Sequence, residues 1–416
     1  MLLIMAATAL LGRPPFERTA FKDMPADDPV REIVQTVLGS KFYALREEFT
    51  AAERAAGGYA AAWDRAKRYF PASAYFVLPG TYFMTHGFDP DGRLFIEIHE
   101  SAYLRLCVEN RRTFTPDSVA GAYGRMRAET DGLDAAAFRD KVGRLETFFH
   151  DEGSQARLRK ALGEGAYLGL LEGLRDEDYH MLAGGLMHEG THAGLDDALV
   201  ARLQAEFAAG RRPVQWDELR AFMAEVGYHG SYCRWAGRDI AGDWDRIEGL
   251  LGELESLRRK PSLRPGPDLT RLEKFRAGAW ACAALVRLRM REIWQSVRRM
   301  QDLAGSFRRE YLKGPVPPDV DELLAAVERD GTGFAAASGE AIQATELAVR
   351  ALEEILDRWG EWAAGRRPFP PPVTDSQAVA RRAGEIRWPD AAPAMGTALA
   401  LMKKAGEALE KERTPS

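Results

Sequence analysis

Cysteine and histidine are both scarce in this chain. The three cysteines, Cys107, Cys233 and Cys282, form no CxxC pair, so neither a thiolate zinc site nor a disulfide framework is indicated. One disulfide with one cysteine left over stays open. Basic charge is lacking as well: 57 Lys and Arg stand against 62 Asp and Glu, for a net charge of −5. General nucleic-acid binding needs a basic surface, so no nucleic-acid partner is expected. Long apolar runs are missing too. The run Leu2 to Leu11 in the opening "MLLIMAATALLGRPP" is too short to span a bilayer, and no stable membrane insertion is expected. It resembles a secretory h-region, although no Lys or Arg precedes it and its cleavage signal is poor. An extracytoplasmic or secreted location is the expectation. A buried first strand or helix in a cytoplasmic protein is the alternative.

A folded protein remains. Hydrophobic residues make up 46% of the chain and charged residues 29%, the balance of a chain with a core. Its 416 residues suggest two domains. Residues 13 to 30 are rich in Pro and Asp and read as a linker; helical patterns follow at 29–56 and 58–69. Strands are expected only in "SAYFVLP" (73–79), "TYFMTH" (81–86) and "RLFIEI" (93–98), with the turn signal "DPDG" between the last two. Residues 99–175 read as helices and polar loops. Further helices are expected at 178–193, 196–210, 216–235, 268–313 and 344–365, and "RRPFPPPV" (366–373) as a stiff linker. Val286, Met290, Ile293, Val297, Met300, Ala304, Phe307 and Tyr311 alternate steps of four and three, which makes a seam for another helix.

The chemistry lies in "GGLMHEGTHAGLDD", residues 184 to 197. Positions i and i+4 share one helix face, so His188 and His192 can offer two imidazole nitrogens to one metal. Glu189 points about 100° round the helix, where it can reach a water rather than the metal. This is the HExxH arrangement of two ligands and a general base. Imidazole suits zinc, and one zinc ion per chain is the expected cofactor. Gly184, Gly185 and Gly190 each weaken the helix interior by about 1 kcal/mol relative to Ala. A strand or substrate backbone passing close would account for them, and so would close helix packing.

"HEGTHAGLD" resembles the zinc helix of thermolysin-type gluzincins, in which Ala follows the second His and an Asp stands four residues beyond it. The resemblance implies that Asp196 orients a ligand; an N-cap is the other reading. Metzincin positions are occupied by Leu195 and Ala198, which rules that group out. A gluzincin takes its third ligand, a Glu, from a later helix. The thermolysin spacing falls near Arg212, which cannot serve. Glu225, in the apolar stretch "AFMAEVGYHGSY", needs a partner for its carboxylate and is the expected ligand. "AEVGY" also resembles the ExxY helix of several bacterial gluzincin-like peptidases. Glu218, at a helix start that favours a surface acid, and Glu206 are the alternatives. Tyr228 and His229, three and four residues after Glu225, are the candidate donors to an oxyanion. "RLFIEI" precedes the zinc helix as the substrate-binding edge strand does in zincins.

The resulting expectation is an α+β, predominantly helical, zincin-like fold with a small β-sheet and a helical C-terminal lobe. Its divisions are an N-terminal segment (1–26), a metallopeptidase domain (27–240) and a helical domain (241–416). The expected activity is zinc-dependent hydrolysis of a peptide or protein substrate. A zinc-binding or metal-free scaffold, and a zinc hydrolase of a non-peptide amide, are the alternatives.

Overall fold

The structure, a computed structural model, describes residues 17–23, 26, 29–39, 59–78, 84–88, 94–99, 180–193, 195–260, 263 and 269–413. The apolar N-terminal run, Cys107, the turn "DPDG", the whole of 99–175 beyond His99 and the expected caps Asp176, Asp178 and Gly194 lie outside the described residues. The elements in chain order are β1 (Glu17–Ala20), α1 (Pro29–Gly39), α2 (Tyr59–Ser73), β2 (Ala74–Leu78), β3 (Met84–Phe88), β4 (Leu94–His99), α3 (His180–His192), α4 (Asp197–Ala208), α5 (Trp216–Arg258), α6 (Leu269–Glu310), α7 (Pro318–Ala363), α8 (Thr374–Gly384) and α9 (Ala392–Arg413).

The fold is all-helical rather than α+β. From His180 to Arg413 every element is a helix, and these helices carry the main core and the candidate site. The described strands form one small sheet in the order β1-β2-β4-β3, with β2 and β4 parallel and the other pairs antiparallel. It is an adjunct to the bundle, because β-branched and aromatic runs with turn signals are confined to one short stretch of sequence. β1 was not expected; it lies in the segment read as a linker. The order also corrects the edge strand. "RLFIEI" becomes β4, which is hydrogen-bonded on both sides, by β2 and by β3. A strand paired on both edges cannot accept a peptide. β3 is the outer strand of this pair, and it is the one that touches α3.

α5 is the organising element. Its 43 residues contain no proline, and Pro213 and Pro261 bracket it in the sequence. It packs against α3, α6, α8 and α9. The boundary expected at residue 240 falls inside this helix, and one core cluster runs from Phe21 to Ala405 without a break there. The α6 seam is buried from Val286 to Phe307 as its spacing predicts. Small residues let the helices close up. A Cβ on Gly230 of α5 would stand 2.5 Å from Met395 Cγ of α9, and one on Gly237 would stand 2.8 Å from Trp388 Cβ. Cys233 and Cys282 are both free thiols. Among the described residues, no helix is long and apolar enough to cross a membrane.

Candidate metal centre

α3 carries the HEGTH motif, and it is wedged between α2 and α5. The glycines of its interior answer to helix packing. A Cβ on Gly190 would stand 2.4 Å from the Ala62 carbonyl oxygen of α2, and one on Gly184 would stand 2.7 Å from His229 Nε2 of α5. Arg65 of α2 adds a hydrogen bond from its Nε to the Gly190 carbonyl, at 2.9 Å. α3 is therefore held on both sides, and its histidines face α5.

His188, His192 and Glu218 form a group that can hold a metal ion. Glu218 Oε2 lies 3.6 Å from His188 Nε2 and 3.7 Å from His192 Nε2. Donors on one tetrahedral ion, with bonds of about 2.0–2.1 Å, stand about 3.3–3.5 Å apart. The three atoms thus fit one small cation with only slight tightening. The donor set of two imidazoles and one carboxylate is that of an open zinc site. His192 and Glu218 are buried at 1% and 3% exposure.

The place expected for Glu225 in this group is filled by Glu218. Glu225 is buried as its apolar context predicts, but its carboxylate addresses the other nitrogen of the same ring. Glu225 Oε2 is 3.2 Å from His188 Nδ1, and Oε1 accepts a hydrogen bond of 2.7 Å from Arg299 Nε of α6. His188 is therefore gripped end to end by α5, with Glu218 at Nε2 and Glu225 at Nδ1. His192 shows the same pattern more loosely, with Asp217 Oδ2 at 3.9 Å from its Nδ1. Carboxylates behind the ring nitrogens fix the tautomer and the direction of the free lone pair. The sequence resemblance assigns this orienting role to Asp196. Instead Asp196 is the N-cap of α4, accepting from Leu199 N at 2.9 Å.

The charges are strongly coupled. Burial favours neutral His188, but Glu218, Glu225 and Glu189 outweigh it and push its pKa up to about 10. Burial alone would raise the Glu225 carboxyl, yet Arg299, His188 and His229 hold it well below the usual range. Glu189 is buried at 3% exposure, close enough to act on His188. Phe222 closes one side, its ring edge-on to His188 at 5.0 Å.

Tyr228 and His229 are deep in the α5–α6 interface. His229 is fully buried, hydrogen-bonded through Nδ1 to Ser296 Oγ at 3.1 Å, with Nε2 3.7 Å from Glu225 Oε1. Glu225 thus stands between His229 and His188. Tyr228 is also fully buried; burial first and then Glu292 of α6 raise its pKa. Neither residue is in the metal-compatible group. Glu206 is engaged elsewhere, in a cluster with Arg212, Arg202 and Glu412. Asp217 and Arg299 belong to the centre and were not foreseen. Asp217 stands beside Glu218 in the first turn of α5, whereas nothing local in the sequence marks Arg299. No protein-family model matches the chain, and no curated protein or solved structure is significantly similar to it.

Proposed function

We propose that this protein is a zinc-dependent peptidase, with His188, His192 and Glu218 holding one zinc ion per chain and Glu189 as general base. The observation that carries the reading is the pairing of roles within the cluster. Both Nε2 atoms converge on Glu218, and both Nδ1 atoms are backed by carboxylates. Such backing is typical of histidines that bind metal. A bound zinc ion would supply Lewis-acid activation of water and carbonyl near neutral pH. Glu189, next to a ligand but outside the ligand group, is free for proton transfer. It takes one proton from the attacking water as the oxygen bonds to the carbonyl carbon. It gives that proton to the amine as the carbon–nitrogen bond breaks. The products are one acid and one amine, and Glu189 returns to its starting state.

Metal analysis of the purified protein tests the first half, with one zinc per chain as the expected result. Glu189→Gln tests the second. It should keep the zinc and lose at least about 10²-fold in peptide hydrolysis, the scale of a lost general base. Loss of zinc in that variant would instead make Glu189 a ligand. Zinc retained by a wild type that cuts no peptide would leave the non-catalytic zinc-binding scaffold.

A further inference from the structure

Attack on a peptide carbonyl places negative charge on its oxygen, and a donor fixed beside that oxygen contributes about 10²–10³ in rate. Tyr228 and His229 face α6 and Glu225, so the donor must come from elsewhere. Tyr311 follows the last turn of α6, and a backbone clamp fixes it against the start of α5. Gln215 N donates to the Tyr311 carbonyl at 3.2 Å, Lys313 N donates to the Pro213 carbonyl at 2.8 Å, and Val214 bridges Leu312 between them. The clamp joins Tyr311 to the residue three before Glu218. Its ring stacks on Phe307 at 5.8 Å and lies 5.2 Å from Phe222, the ring that edges His188.

Tyr311 is only partly buried, unlike the ligands, and its hydroxyl has no hydrogen-bond partner among the described residues. We propose that Tyr311 donates its hydroxyl hydrogen bond to the oxyanion formed at the His188, His192 and Glu218 centre. This role rests on the peptidase reading above. The proton stays on the Tyr311 oxygen throughout, so the hydrolysis balances as already written. The surrounding acids support it: Glu218 foremost, then burial, Glu310, Glu189 and Asp217 raise the Tyr311 pKa, so the hydroxyl keeps its proton across the neutral range. The same neighbours place the hydroxyl close to a proposed ligand and to the proposed base.

The test compares wild type with Tyr311→Phe, which keeps the stacked ring. Three quantities are measured: zinc per chain, kcat and KM on an internally quenched peptide library, and calorimetric affinity for a generic phosphonamidate dipeptide. The tetrahedral phosphoryl oxygens of that probe imitate the oxyanion. Zinc content and KM should hold within about twofold, kcat should fall about 10²–10³-fold, and the phosphonamidate should bind about 10²-fold more weakly. Ground-state binding of an uncut library peptide, measured in the Glu189→Gln background, should not change. An active wild type with an equally active Tyr311→Phe, or with unchanged phosphonamidate affinity, overturns the role of Tyr311 alone. Loss of zinc or of helix content in Tyr311→Phe would make the hydroxyl structural and would also overturn it. A zinc-loaded wild type that cuts no peptide overturns the peptidase reading, and this role with it.

Discussion

Glu218 and Glu225 differ by seven positions, about two turns of one helix, so they share a face. That is why sequence context could find the face without choosing the ligand. An apolar neighbourhood shows that Glu225 is buried and needs compensation. It does not show that the compensation is Arg299 and the far nitrogen of His188. Glu218 looked like a surface acid in a first helical turn, yet contact with α3 buries it. The motif residues were legible because their spacing is local. The partner carboxylates depend on how far α3 slides along α5, which no local pattern records. Tyr311 was legible only as the last member of the α6 seam. The variants separate the two glutamates. Glu218→Ala, which deletes a donor, should lower zinc affinity beyond the range of Glu225→Gln, which only loosens His188. The latter should cost about 10–100-fold. Competition against a zinc chelator measures both, and equal losses would return Glu225 to the ligand set. Gly190→Ala sets helix propensity, worth about 1 kcal/mol in favour of Ala, against a Cβ 2.4 Å from a backbone oxygen. Overpacking should win, with a net loss of about 1–3 kcal/mol by urea unfolding of the metal-free protein. A gain in stability would show that α2 gives way.

The helices were found by periodicity and their stops by glycine and proline, but α5 was read as about half its true length. Glycines at 227, 230, 237 and 242 looked like weak points, whereas two of them are close contacts with Met395 and Trp388. The far end of α5 is tied as well as its beginning. Glu255 accepts from Arg258 Nε at 2.8 Å, from Arg259 Nε at 3.0 Å and from the backbone N–H of Val373 at 3.4 Å, where the proline linker enters α8. Hydrogen bonding from Arg258, then from Arg259 and Val373, outweighs burial and holds the Glu255 pKa at about 2. A depressed carboxylate stabilises the fold above its unfolded pKa and ceases to do so as pH falls through the folded value. Glu255 should therefore contribute fully above about pH 4.5, and progressively less down to about pH 2. Denaturant unfolding between those limits should show a smaller pH slope in Glu255→Gln than in wild type. An unchanged slope would remove Glu255 from the acid response.

On the scale of the molecule, an α+β zincin with two lobes was expected, and a helical bundle with one continuous core from Phe21 to Ala405 was found. The two halves of the expected division share α5 and its core, so they should unfold together. Calorimetry of the zinc-loaded protein should give one transition over the described helices, whereas a boundary at 240 would give two. Zinc bound only by the folded chain stabilises it by about 4 kcal/mol when free metal exceeds the dissociation constant a thousandfold. Tm should therefore rise with zinc in wild type and stay level in His192→Ala. A rise of equal size in both would place the ion away from the HEGTH helix.

The grip of α5 on His188 has a consequence for how this protein can change length. Each residue added to or taken from the stretch between Glu218 and Glu225 turns everything beyond it by about 100°. Glu225 would then face away from His188 while Glu218 stayed in place, and Arg299 would lose its acceptor. Length variants should be confined to the connections between helices, such as the segment from Arg366 to Val373, while the stretch between the two carboxylates can drift only by substitution.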